Sequence, residues 1–250
     1  MMAFDDIEKF KRDGFLILRG LYNVTQIAAM RRWIDELAGC TPTPGKEMVY
    51  FEDSLTKPGQ RILSRIEKFA DADMPFFGVT QARQMLDIVD ALQDGPSVLF
   101  KEKINFKIPG SGGFEPHQDI QAGWDDYTPY FLSVAIAVDD NTLENGCLEL
   151  AAGHHKSGWI GERMKPLTSE QLTGIVFKPY PMQAGDVAFL DGYAPHQSAP
   201  NQTDSARRNL YLTYNRKADG DHRERYFADK RRSFPPDNER MPGMTYAYKV

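Results

Sequence analysis

A chain of 250 residues with 41% apolar and 26% charged side chains has the size and composition of one large globular domain, able to bury a core without disulfides or a structural metal. The net charge of −5 and the lack of any run of five Lys/Arg argue against bulk nucleic-acid binding, and the longest apolar stretch, 130–138, is broken by Ser133 and far short of the roughly 20 residues that span a bilayer. With an acidic start unlike a secretory signal and two distant cysteines, Cys40 and Cys147, that read as small buried hydrophobes, a cytoplasmic chain is expected; it should act on a small molecule, with no nucleic-acid or membrane partner, and its oligomeric state is not legible.

Asp5-Asp6-Ile7-Glu8-Lys9-Phe10 opens a short helix that Gly14 closes, and Phe15 to Leu18 reads as a short buried strand. Val24, Ile27, Ala28, Met30, Ile34 and Leu37 recur at helical spacing up to Gly39. A further amphipathic stretch runs from Thr80 through Met85, Ile88, Val89 and Leu92 until Gly95-Pro96 stops it. From Val98 onward the pattern changes to short runs between turn clusters: Lys103 to Ile108, Phe131 to Val138, Cys147 to Leu150, Gly174 to Lys178, Val187 to Leu190 and Leu210 to Asn215. One domain over 1–250 is expected, mainly β with flanking α-helices: a helix-rich support in 1–97 and a mostly β barrel core in 98–250.

Within the β half, His117 and Asp119 are two positions apart, so on an extended chain both side chains share a face. His196 follows the Val187 to Leu190 run after a short turn. Two imidazoles and a carboxylate on one face of an octahedral ion leave positions open, the ligand set of non-haem Fe(II) oxygenases; the same three side chains also suit a Zn2+ hydrolase. Arg207, eleven residues beyond His196, offers a planar fork suited to a carboxylate.

These residues carry a resemblance to the phytanoyl-CoA dioxygenase family of Fe(II)/2-oxoglutarate oxygenases, over nearly the whole chain. Phe10-x-x-Asp13-Gly14-Phe15 is similar to the family's entry into its first strand, and Lys107-Ile108-Pro109-Gly110-Ser111-Gly112 to its glycine-rich approach to His-x-Asp. Glu144-Asn145-Gly146-Cys147-Leu148 resembles its Glu-Asn-Gly turn, and His196, Ser198 and Arg207 resemble its distal pattern. After that turn the family usually has Pro-Gly-Ser-His, whereas this chain has Ala152-Gly153-His154-His155, whose two histidines read as a polar loop pair. The resemblance implies a double-stranded β-helix, a jelly-roll, cupin-like barrel. It implies His117, Asp119 and His196 as iron ligands, Ser198 and Arg207 on 2-oxoglutarate with Asn105 beside them, and O2 as oxidant. It implies a hydroxylase releasing succinate and CO2, and the carboxylate of Asp119 speaks against a halogenase. A zinc hydrolase and a non-catalytic barrel module stand as alternatives.

Lys103, Asn105 and Lys107 alternate with Ile104, Phe106 and Ile108, so the strand's polar face either meets water or lines the barrel mouth. In the second case Lys103 and Lys107 would supply positive charge for 2-oxoglutarate or for an anionic substrate. Trp124 and Asp126 mix an aromatic face with negative charge, as an ammonium group requires. Together they suit a small zwitterion, of the kind that family members hydroxylating aminoalkylphosphonates or ectoine take. Ser64-Arg65-Ile66-Glu67-Lys68-Phe69 either reaches the pocket or, as its alternating charge favours, forms a solvated face.

Overall fold

Asn23 starts the longest helix by a reciprocal cap: its side chain accepts from the Gln26 N–H at 3.0 Å, and Gln26 Oε1 accepts from the Asn23 N–H at 2.9 Å. In the computed structural model, which describes residues 3–246, the helices are α1 (Phe4–Asp13), α2 (Val24–Gly39), α3 (Phe77–Thr80), α4 (Arg83–Gln93) and α5 (Arg223–Ser233). The strands are β1 (Phe15–Leu18), β2 (Met48–Asp53), β3 (Arg61–Glu67), β4 (Ser97–Lys107), β5 (Phe114–His117), β6 (Leu132–Ala137), β7 (Leu148–Leu150), β8 (Lys178–Tyr180), β9 (Val187–Asp191), β10 (His196–Ser198) and β11 (Arg207–Arg216). Gly14, at φ 82°, ends α1 and lets the chain turn straight into β1. A Cβ there would also strike the His155 ring, 2.4 Å away.

Seven strands pair in the order β1-β9-β6-β11-β4-β3-β2 and four in the order β5-β10-β7-β8, with neighbouring strands antiparallel throughout. The two sheets form the jelly-roll double-stranded β-helix. On the outer face of the large sheet, Ile104, Phe106, Ile136, Leu210 and Leu212 meet Ile27, Met30 and Ile34 of α2 and Met85 and Val89 of α4. Between the sheets a second apolar cluster joins Ala135, Ala137 and Ala188 to Leu148 and Leu150. Alternation does the sorting: the even residues of β4 from 102 to 106 turn toward the helices and the odd ones toward the small sheet. Lys101, opposite Thr213, keeps the inward parity of Lys103 by that alternation, and a bulge just beyond it skips Phe100.

Several expectations need correction. Residues 1–97 also supply β1, β2 and β3 to the large sheet, so a helix-rich support and a barrel core do not divide at residue 97. The strand expected over 174–178 is β8, two to four residues later, because Gly174 (φ 83°) lies in a turn and Val176 is exposed. Cys40 is exposed just past α2, and only Cys147 is buried. Among the described residues no helix is long and apolar enough to cross a membrane.

Candidate active site

The small sheet sets the two histidines side by side. β10 lies between β5 and β7, with His196 opposite His117 on one side and Leu150 on the other, and the two imidazole centroids are 4.3 Å apart. Each ring is aimed by a backbone acceptor: His117 Nδ1 donates to Glu115 O at 2.7 Å and His196 Nδ1 to Ala194 O at 3.0 Å. A carbonyl can only accept, so both Nδ1 atoms carry the proton and both Nε2 lone pairs are left for an ion.

Asp119 does not share a strand face with His117, as the two-residue spacing predicts; it opens a 3₁₀ turn, Asp119–Ala122. That turn still brings its carboxylate to 3.9 Å from His196 Nε2, and one ligand atom from each of the three residues lies within 4.8 Å of the others. Ser133 Oγ of β6 donates to Asp119 Oδ2 at 2.5 Å and fixes which oxygen faces inward. Burial and the neighbouring His196 push His117 down to about 3, which keeps it neutral. Burial alone would raise Asp119, but His196 and Lys103 outweigh it and hold the carboxyl ionised, down to about 2. Two imidazoles and one carboxylate are the donor set that a divalent non-haem iron takes.

Beside the triad, two buried cations face each other across β4 and β11, where Lys107 is the register partner of Arg207. Lys107 Nζ donates to Ser198 Oγ at 2.7 Å, to Gly146 O at 3.4 Å and to Ala199 O. Arg207, 1% exposed, gives one Nη2 bond of 2.7 Å to Gly146 O, while its Nε and Asn105 Oδ1 are buried without a hydrogen-bond partner among the described residues. Burial, then Arg207, pulls Lys107 down to about 7. Two buried positive groups and an unused donor are costly unless an anion completes them, and the distal carboxylate of 2-oxoglutarate has the charge and planarity to do so. Gly146 is fixed in this role: at φ 73°, a Cβ would lie 2.0 Å from Ala199 O.

A recess of about 30 Å3 lined by the triad, Asn105 and Ser198 opens into a cavity of about 480 Å3 lined by Tyr50, Arg65, Lys101, Lys103, Phe114 and Trp124, among others. The structure therefore brings together His117, Asp119, His196, Asn105, Ser198 and Lys103. It places two expected substrate residues, Lys107 and Asp126, outside both spaces. Lys107 lines neither space, and nor does Arg207; the Lys107 ammonium bonds Ser198 and the carbonyls of Gly146 and Ala199 beside the recess. Asp126 is exposed and pairs with Arg163 outside the cavity. Trp124 lines both the recess and the cavity; it is 2% exposed, packs on Phe100 and Phe131, and has Lys101 Nζ 4.6 Å over its ring. Arg65, expected on a solvated face, is 6% exposed and lines the cavity. Residues that sequence reasoning missed include Lys101, which continues the β4 alternation by one step, and Gln118, which no pattern marks. Gln118 is wholly buried, and its amide bonds Gly158 O, Tyr193 O and the Ile160 N–H at 2.7 to 2.9 Å, anchoring the chain between His117 and Asp119. His154 and His155 lie in a 3₁₀ turn away from the triad, where His155 Nε2 bonds Lys11 O.

A jelly roll with two histidines and an aspartate at its mouth and a buried cation pair beside them defines a Fe(II)/2-oxoglutarate-dependent dioxygenase that uses O2. Comparison with known proteins agrees: the model of the family described as phytanoyl-CoA dioxygenase (PhyH) matches residues 10–209. The chain belongs to that family. It is 35% identical over 240 residues to the 2-aminoethylphosphonate dioxygenase of an uncultured bacterium, covering 96% of this chain and 91% of that one. It is 36% identical over 229 residues to the methylphosphonate hydroxylase of Gimesia maris, covering 91% and 86%. Among solved structures, EctD from S. alaskensis with 2-oxoglutarate and 5-hydroxyectoine superposes with a TM-score of 0.74 at 19% identity, over 87% of this chain and 77% of that one. Membership in this family sets aside the zinc hydrolase and the non-catalytic barrel.

Proposed function

We propose that the enzyme hydroxylates an unactivated C–H bond of a small phosphonate. The observation that carries this reading is the cavity beside the triad, whose wall sets Arg65, Lys101, Lys103 and Arg240 among Glu52 and Glu115, a mixed lining suited to a small charged substrate; relatives named for 2-aminoethylphosphonate and methylphosphonate support it. In this reading His117, Asp119 and His196 hold Fe(II), which with 2-oxoglutarate and O2 supplies the oxidising chemistry and leaves succinate and CO2. Arg207, Lys107 and Ser198 orient the co-substrate's distal carboxylate, Asn105 offers its free Oδ1 toward the recess, and Ser133 holds Asp119 in position. Phe114 and Trp124 wall the reacting carbon from bulk water. Two free cysteines suit a reducing compartment, and we place the enzyme in the cytoplasm.

The test is succinate release from purified, Fe(II)-loaded protein offered 2-aminoethylphosphonate, methylphosphonate, ectoine or an acyl-CoA. Release should depend on a phosphonate. Turnover with ectoine or the acyl-CoA and none with either phosphonate would sink the reading.

A further inference from the structure

Among the described residues three that are not glycine hold a positive φ: Lys68 at 58°, Asp94 at 56° and Met164 at 61°. Asp94 caps α4, where a left-handed residue is ordinary, and Lys68 directly follows β3. Met164 lies in a turn between β7 and β8, and its backbone takes a region that a long side chain rarely adopts. Such a conformation persists only where the surroundings over-determine it, and here they do. The Met164 N–H donates to Gln121 O at 2.7 Å. Gln121 Nε2 donates to Glu162 O at 2.8 Å and to Lys165 O at 2.9 Å, on either side of Met164. Arg163 bonds Gly123 O at 3.1 Å and pairs with Asp125 and Asp126, and the Leu167 N–H donates to Pro116 O at 2.8 Å. Every one of these anchors belongs to 116–126, the segment that carries His117 and Asp119.

The turn thus rides on the segment that bears two of the three candidate ligands, and it carries Met164 into the cavity that His117 and Asp119 also line. Ala122 and Pro166, from the same two segments, line it as well. Glycine would hold a left-handed turn without strain, so a methionine kept there is kept for its side chain. That side chain is half-buried and faces the cavity. Resting on the reading that a small phosphonate is hydroxylated in this cavity, we infer that Met164 is a positioning residue for it: the thioether packs on the substrate's carbon chain and fixes which C–H bond meets the metal site. A thioether is soft, unbranched and uncharged, so it grips hydrocarbon and leaves the charged ends of the substrate to the polar lining. Because the turn hangs on the ligand-bearing segment, the contact and the metal site keep one another's geometry.

The experiment compares Met164→Gly and Met164→Leu with the unaltered Fe(II)-loaded protein, measuring hydroxylated phosphonate formed per succinate released. The 2-oxoglutarate dissociation constant, taken anaerobically, and the melting temperature are measured alongside. Met164→Gly should lower the product-to-succinate ratio at least about threefold and leave the 2-oxoglutarate constant within about twofold. It should melt within about 5 °C of the unaltered protein, since relief of the left-handed strain offsets the lost packing. Met164→Leu restores the bulk and should keep the ratio within about twofold of the unaltered protein. An unmoved ratio in Met164→Gly, a ratio just as low in Met164→Leu, or a 2-oxoglutarate constant that rises in step would overturn the assignment. A Met164→Gly chain that melts far lower or fails to fold would mark the side chain as structural and overturn it as well. If the unaltered protein hydroxylates neither 2-aminoethylphosphonate nor methylphosphonate, the substrate reading fails on its own. Met164 is then judged by access through the cavity: the chelator ferrozine should strip Fe(II) from Met164→Gly at least about threefold faster than from Met164→Leu, and equal rates would overturn the assignment.

Discussion

Arg207 and Arg208 are neighbours in sequence and opposites in environment. Arg207 turns inward to Gly146 O, whereas Arg208 turns outward and is clasped by Asp139 and Asp35. Lysine at 207 keeps the charge but loses the planar fork, and charge-assisted bonds of this type are worth on the order of 1.5 to 3 kcal/mol. Arg207→Lys should therefore raise the 2-oxoglutarate constant by roughly 10- to 150-fold, while Arg208→Lys leaves it unchanged; titration of each anaerobic variant, followed by its visible charge-transfer band, checks the pair. Lys107 adds a pH dependence. Held down at about 7, it sheds its proton in the free enzyme as pH rises, and an anion laid beside it restores the ammonium. Binding then takes up a proton, so 2-oxoglutarate affinity should fall by up to about tenfold per pH unit above 7. Folding responds the other way: an unfolded lysine keeps its proton to about 10.4, so between about 7 and 10.4 the unfolded chain binds more protons and this residue's contribution to stability rises with pH. Lys107→Met should flatten both slopes; unchanged slopes would assign the titration to another group. Asp119→Gly should lose iron affinity and hydroxylation together, read by metal analysis and succinate release, because only the two imidazoles are left.

At the scale of elements, what the amino-acid sequence revealed depended on which way its charges point. β6, β9 and β11 were legible because apolar runs mark strands buried on both faces, and α2 and α4 because their apolar residues keep helical spacing. β3 and α5 were not, since each sends charge inward: Arg65 and Glu67 from β3, Arg223 and Lys230 from α5. Polarity normally signals the outer face, so those segments read as surface. The triad was legible from the His-x-Asp spacing together with the family resemblance, and Lys101 from the β4 alternation carried one step further, whereas Gln118 and Ser133 take part only through contacts that no local pattern encodes. The same inward charges make α5 a structural clamp. Arg223 bonds both oxygens of the buried Glu102 at 2.7 and 3.0 Å and reaches Asp71 at 2.7 Å, while burial raises Glu102. Arg223→Met would strand that carboxylate, and removal of one partner of a buried pair costs roughly 3 to 5 kcal/mol. Denaturant unfolding should show a loss of that size, and Arg223→Met with Glu102→Gln should recover part of it. A loss below about 1 kcal/mol would mean the pair is effectively solvated.

For the molecule as a whole, the histidines belong to the small sheet and the cation pair to the large one, so metal and co-substrate together would tie the two sheets. Ligands present at 100 times their dissociation constants stabilise by about 2.7 kcal/mol each, or roughly 5 to 10 °C for a chain of this size. Anaerobic melting with Fe(II) and 2-oxoglutarate together should exceed the shift with Fe(II) alone, and Arg207→Lys should lose most of the increment. The three-residue strand β10 has a different consequence, for how such a chain can lengthen over evolution. It is hydrogen-bonded on both sides, and the turn 192–195 that feeds it is pinned by Gly192 N–H to Phe131 O and Ala194 N–H to Asp191 O. Because side chains alternate with period two, one residue added there would turn His196 out of the barrel mouth, so residues in that turn can change in kind but not in number. The exposed stretch around 170–176 carries no such register. An insertion scan should find single-residue additions silent at 174 and fatal to iron binding at 193, which would make the first stretch, and not the second, the place where descendants of this fold acquire new loops.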